Sequence, residues 1–193
     1  MSQKSKLPFK AQPGDIILTR ESDVMSWFLR ILEGPFPYSH ACLVGEEVNG
    51  QPTIYTAAHK TDHDSALTLG FFRHVDAYSY LRDRSYVVCR VKGGLGKEHQ
   101  EEIVSWCKNQ LGEEYPVRKV LKYLKDGFKG LGITEVIHEE LFDREHCFES
   151  VAKAYETAGI KLNERAGNQH ASGYDGKEIY LSPMLVDIYA KAI

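Results

Sequence analysis

What the chain lacks narrows what it can be. It has no run of about 18 apolar residues, so no membrane-crossing helix is expected. Residues Met1 to Lys10 are polar and basic, without the apolar centre of a secretory signal, and the expected location is the cytoplasm. Four cysteines, Cys42, Cys89, Cys107 and Cys147, include no C-x-x-C pair, which argues against a zinc knuckle. Their even number allows two disulfides, but a chain of this size without a signal is expected to keep them as free thiols in a reducing compartment. Neither sign of charge is in excess. Lys and Arg number 24 against 27 Asp and Glu, so a nucleic-acid partner is not expected. Internal repeats and low-complexity segments are also missing.

What remains is an ordinary globular composition. Of 193 residues, 42% are apolar and 26% charged, with 11 Tyr and 8 Phe, which is enough apolar and aromatic material to exclude disorder. The length fits one domain with a sizeable core. Residues 1–12 read as a flexible lead-in and 13–193 as the folded domain.

Along the chain, the turn at Pro13-Gly14-Asp15 precedes a short buried strand, Ile16-Ile17-Leu18-Thr19. Ser22 or Asp23 can cap a helix with Val24, Trp27, Phe28, Ile31 and Leu32 on one face, which Gly34-Pro35-Phe36-Pro37 ends. Tyr38 to Gly45 reads as a strand whose alternation puts His40, Cys42 and Val44 on one face and Ala41 and Leu43 on the other. Asn49-Gly50 is hairpin-turn chemistry, and Thr53 to Ala58 forms the return strand. After a polar loop from His59 comes an aromatic cluster, Phe71, Phe72, Tyr78 and Tyr80, and then the β-branched strand Ser85–Val91. A helix is expected from Lys97 to Leu111, stopped by Gly112. A basic amphipathic helix over Pro116–Lys129, a short acidic segment over 134–142 and a polar loop over 163–178 follow. Ser182-Pro183 reads as an N-cap with Pro at the first helical position, predicting a final helix of about two turns. Strands come mostly first and helices mostly afterwards, an α+β order.

The stretch from Asp143 to Gly159 is the richest in chemistry. It places Cys147 in the first turn of an amphipathic helix, with Val151, Ala154 and Ala158 on the same face and Gly159 as the stop. Asp143, Glu145 and Glu149 put acid at the positive end of the helix dipole. Unpaired N–H groups there favour a thiolate. The bland alternative is a small buried hydrophobe. A cysteine nucleophile needs an imidazole within hydrogen-bond reach, and such partners meet in the fold, not in the sequence. His40, entering a strand after a Pro-bounded loop, is the candidate, and a satisfied strand-edge histidine is its alternative. His59 and His63, with Asp62 and Asp64, have helical metal-ligand spacing but sit in a loop with no third ligand, so no metal and no cofactor are expected. The basic face of 116–129 is read as solvated, with contact to an anionic surface or a lid over the cleft as its functional readings.

Five segments in order resemble the permuted papain-like cysteine hydrolases, the YiiX-type and NlpC-related group. They are Pro13-Gly14-Asp15-Ile16-Ile17, Ser39-His40-Ala41-Cys42-Leu43-Val44, Leu111-Gly112-Glu113-Glu114-Tyr115, Cys147-Phe148-Glu149 with its apolar helix, and Leu181-Ser182-Pro183. The resemblance spans nearly the whole chain and implies an α+β, permuted papain-like (NlpC-type) fold with a small antiparallel sheet packed against helices. It implies Cys147 as nucleophile and His40 as base, base before nucleophile as the permutation requires. Tyr115 would be the site tyrosine, with Tyr38 and Phe148 beside it as substrate contacts. Two positions depart from the pattern. Where the family often has a polar or acidic residue after a tyrosine, this chain reads Tyr55-Thr56-Ala57, so Thr56 would orient His40 without supplying charge, or His59 would take that role. Phe148 stands where Ser is common. The implied function is hydrolysis of an amide, such as a cell-wall peptide, or of an ester. A lipid-directed acyltransferase or thioesterase of the lecithin retinol acyltransferase-like type, with membrane contact, and a catalytically silent binding module are the alternatives.

Overall fold

The computed structural model describes residues 7–20, 36–58, 71–112, 147–162 and 176–192. The helix expected after Ser22, the His59 to His63 loop, Tyr115, the basic stretch 116–129, the acidic segment 134–142 and the acids Asp143 and Glu145 lie outside them, as does most of the 163–178 loop.

Within them run β1 (Ile16–Arg20), β2 (His40–Val48), β3 (Gln51–Ala58), β4 (Phe71–Asp76), α1 (Ala77–Leu81), β5 (Ser85–Val91) and α2 (Lys97–Asn109). A helix over residues 147–157, here α3, then α4 (Gly176–Tyr180) and β6 (Leu185–Lys191) complete the described elements. The strands form one sheet of six in the order β4-β3-β2-β1-β5-β6. Every neighbouring pair is antiparallel. The architecture is therefore α+β, with an antiparallel sheet and a few helices.

Alternation along the strands divides the core into two layers. Ile16, Leu18, Ala41, Leu43, Tyr55, Val87 and Cys89 point to one face, where Ile103, Val104 and Cys107 of α2 and Val151, Ala154, Tyr155 and Ala158 of the α3 segment cover them. Ile17, Cys42, Val44, Ile54, Tyr86 and Val88 point to the other, against Ala77 and Leu81 of α1. Each fully buried aliphatic side chain here contributes roughly 1.5–3 kcal/mol over leaving it in water. The four-residue face expected for the Cys147 helix is the buried face of α3.

Three elements differ from expectation. Leu185–Lys191 is a strand, not the final helix. Ser182-Pro183 does start a local structure, but it is a turn: the Leu185 N–H closes on the Ser182 carbonyl at 3.1 Å, and the Ser182 hydroxyl accepts from the Met184 N–H at 3.3 Å while donating to the Leu162 carbonyl. Pro at the second position suits a turn as well as a first helical turn, and Val186, Ile188 and Tyr189 favour the strand that follows. The aromatic cluster resolves into β4 and α1, which Asp76 caps by accepting from the Ser79 N–H at 2.7 Å. Leu7, Phe9 and Ala11, in the segment expected to be a free lead-in, pack on the second layer, with the Phe9 ring 5.5 Å from Tyr189 and 6.2 Å from Tyr86.

Candidate active site

The β2–β3 hairpin builds the first half of the site. Asn49 and Gly50 both take positive φ, 55° and 73°, as a two-residue hairpin turn requires. Next to the turn Val48 pairs with Gln51 and Glu47 with Pro52. If that register continued, Ala57 would lie opposite Cys42. A register shift between Val44 and Glu47 puts Thr56 there instead. Gly45 sits in the shifted segment, and a Cβ on it would meet the Tyr55 ring at 2.7 Å and the Thr53 hydroxyl at 2.9 Å. The bulge thus needs glycine because another side chain approaches its backbone.

The consequence is chemical. Thr56 becomes the diagonal neighbour of His40, the first residue of β2, and its Oγ1 lies 2.7 Å from His40 Nε2. The Cys42 thiol lies 3.4 Å from the same oxygen. Thr56 and Cys42 are each 1% exposed. The side-chain pairing of His40 and Thr56 expected from the sequence is present.

Cys147 and Phe148 open the described part of α3. Both are 5% exposed and belong to the helix-covered layer with Ala41 and Leu43. The Thr56–Cys42 pair belongs to the opposite face of the sheet. Cys147 thus belongs to the helix-covered layer, whereas His40, the first residue of β2, shares the Thr56–Cys42 side of the sheet. Phe148 is a core side chain, so a substrate would meet it only as part of the cleft wall.

Tyr38 stands at the rim of the helix-covered layer, its ring 5.6 Å from Phe36 and 5.8 Å from Tyr180. Burial, then the Asp187 carboxylate, raises its pKa above the ordinary tyrosine value. Tyr180 donates to Asp187 at 2.9 Å, and that hydrogen bond, with burial, pushes it up to about 12. The Cys89 thiol also donates to Asp187, at 3.4 Å. Sequence reasoning missed this group because Asp187 falls in the expected final helix; the strand-favouring residues Val186, Ile188 and Tyr189 around it were the available signal. The remaining thiols are sorted by environment. Burial, with Asp187, pushes Cys89 far above the free-thiol range, and burial, with Glu46, does the same to Cys107. None of the four cysteines forms a disulfide. Among the described residues, no three His, Cys, Asp or Glu side chains are grouped to hold a metal ion, and no helix is long and apolar enough to cross a membrane.

No family model matches the chain, and no curated protein does. Among solved structures it is similar to the crystal structure of the metalloprotein yiiX from Escherichia coli O157:H7, with a TM-score of 0.65 and 19% sequence identity. The superposition covers 95% of this chain and 99% of that one. At that identity the likeness is one of fold, and the fold of this chain is YiiX-type.

Proposed function

We propose that this protein is a cysteine-dependent hydrolase of the permuted papain-like kind, acting on an amide such as a cell-wall peptide. The observation that supports the reading is the 2.7 Å hydrogen bond between His40 Nε2 and Thr56. It fixes one edge of the imidazole at the start of β2. In this reading His40 takes the Cys147 proton and the thiolate attacks the substrate carbonyl. The backbone N–H of Cys147 holds the oxyanion. His40 then returns the proton to the leaving amine as the C–N bond breaks, and water cleaves the thioester. Thr56 positions His40 without adding charge, so the imidazolium is less stabilised than beside a carboxylate. Tyr38 and Tyr115 would complete the substrate contacts.

The near-complete burial of Cys147 and Phe148 favours one other reading, a binding module of the same fold without chemistry. Iodoacetamide labelling followed by peptide mass spectrometry separates the two. An enzyme labels at Cys147 already near pH 6, well below the ordinary thiol pKa of about 8.5, and slows in His40→Ala. Cys89 and Cys107 stay silent there, because burial holds both as thiols. Labelling of Cys147 that begins only near pH 8.5, the same in His40→Ala and with no turnover of a dipeptide amide, sinks the hydrolase.

A further inference from the structure

The register between β5 and β6 slips once, and the slip has a chemical result. Tyr86, Val87 and Val88 pair with Lys191, Ala190 and Tyr189, and the same register would set Ile188 opposite Cys89. An irregularity between Val88 and Cys89 sets Asp187 there instead. Ile188 packs on the second layer, and Asp187 lies on the side of Cys89, the helix-covered one. A carboxylate therefore stands where an unbroken register would present an aliphatic side chain.

Its surroundings are aromatic and uncharged. Tyr180 donates to Oδ2 at 2.9 Å, and the fully buried Cys89 thiol donates to Oδ1 at 3.4 Å. The Tyr38 ring stands 5.8 Å from that of Tyr180, and the Asp187 charge helps to raise the pKa of both tyrosines. Among the described residues, no Lys or Arg forms an ion pair with Asp187. Lys191 of the same strand donates to the Arg82 carbonyl, and Arg90 of the neighbouring strand is engaged by Asp15. Asp15 and Glu46, which also accept side-chain hydrogen bonds, each meet a cation. Asp187 is exposed and the two tyrosines are half-buried, so its unbalanced charge is open to a ligand.

We propose that Asp187, with Tyr38 and Tyr180, forms a subsite for a protonated primary amine carried by the substrate. A primary ammonium can donate to the remaining lone pairs of the carboxylate and to the Tyr38 hydroxyl while resting against the tyrosine rings. A quaternary ammonium has no N–H to donate. Tyr38 packs on the layer that holds Cys147 and precedes His40 by two residues, which ties the subsite to the chemistry above. Its part in substrate choice rests on the hydrolase reading; its binding chemistry does not.

The test compares turnover of a dipeptide amide with a free amino group against its N-acetyl and N-trimethyl counterparts at pH 6, below the α-amino pKa of about 8. Wild type should favour the free amine over both by about tenfold in kcat/KM, the equivalent of one modest charge-assisted hydrogen bond. In Asp187→Asn, whose amide oxygen still accepts from Tyr180, that preference should collapse to near one. If the variant fails to fold, wild type decides alone, since its preference over the acetylated substrate should fade by about pH 9, where the amine is neutral. No preference in wild type, an equal preference for the trimethylated substrate, or a preference that survives Asp187→Asn or pH 9 overturns the proposal. A protein that turns over none of the three, and whose Cys147 does not label at pH 6, overturns the hydrolase reading instead. NMR of carbon-13-labelled tyrosine rings then decides the subsite: alanine amide, and not N-acetylalanine amide, should shift the Tyr38 and Tyr180 signals at pH 6. Equal shifts from both, or none from either, overturn it.

Discussion

Glu46 shows how one side chain can hold two elements together and make stability depend on pH. Burial alone would raise its carboxyl, but the Lys108 ammonium at 2.7 Å and the Tyr55 hydroxyl at 2.9 Å favour the charged form, and its pKa lies below the ordinary glutamate value. A carboxyl lowered in the folded state adds stability above its unfolded pKa, about 4.3, and that increment disappears as the pH falls through the folded value. Since the pair is partly exposed, the increment should be below about 1 kcal/mol. Glu46→Gln should therefore be less stable than wild type at pH 7, and the gap should narrow by pH 3 in urea denaturation. A gap that persists unchanged at pH 3 would mean that packing, not charge, carries the effect. At this same scale the sequence was only half legible. His40 and Thr56 could be named from their motifs, but their contact depends on the bulge at Gly45, and a glycine in a strand does not say which way the register will slip.

Elements were legible wherever one signal had one meaning. The Asn49-Gly50 turn, the β-branched run of β5 and the apolar face of α2 each point to a single structure, and each formed as expected. Misreading came where one signal serves two structures, as Ser-Pro does at residues 182–183, or where an element is very short, as α1 is. What joins the elements is less visible still. The Tyr155 hydroxyl of α3 donates to the Gly14 carbonyl in the turn before β1, although 141 residues separate them. This bond is fully buried and pins the helix that carries Cys147 to the central strand. Tyr155→Phe leaves that carbonyl without its donor and should cost about 1–3 kcal/mol in equilibrium unfolding. Loss of less than about 0.5 kcal/mol, the usual range for a surface substitution, would show that the carbonyl finds another partner.

For the whole molecule, the second face of the sheet is the unexpected part. Among the described residues, α2 and α3 cover one side, and the other carries α1 and residues 7–12, whose path is tied down where Arg90 donates to Asp15 at 2.7 Å and to the Lys10 carbonyl at 2.8 Å. The polar and basic character of the N-terminal stretch concealed this, because its apolar residues, Leu7, Phe9 and Ala11, alternate with polar or exposed ones. Phe9→Ala uncovers part of Tyr86 and Tyr189 and should lower Tm by roughly 2–4 °C for each kcal/mol of lost burial. An unchanged Tm would show that the segment lies on the sheet without stabilising it.

Strand order has a further consequence, for the time at which the protein can fold. β2, β3 and β4 pair with near neighbours in the chain and can assemble while synthesis is still under way. The other half of the sheet cannot. β5 has β1 on one side, but its other side waits for β6, which is translated about a hundred residues later. During that interval a nascent chain presents Tyr86-Val87-Val88-Cys89 as an open, apolar, unpaired edge, the kind that captures strands from other chains. Any ribosome pause after β5 therefore lengthens the exposure of the segment most able to aggregate, and β6 acts as its late-arriving guard.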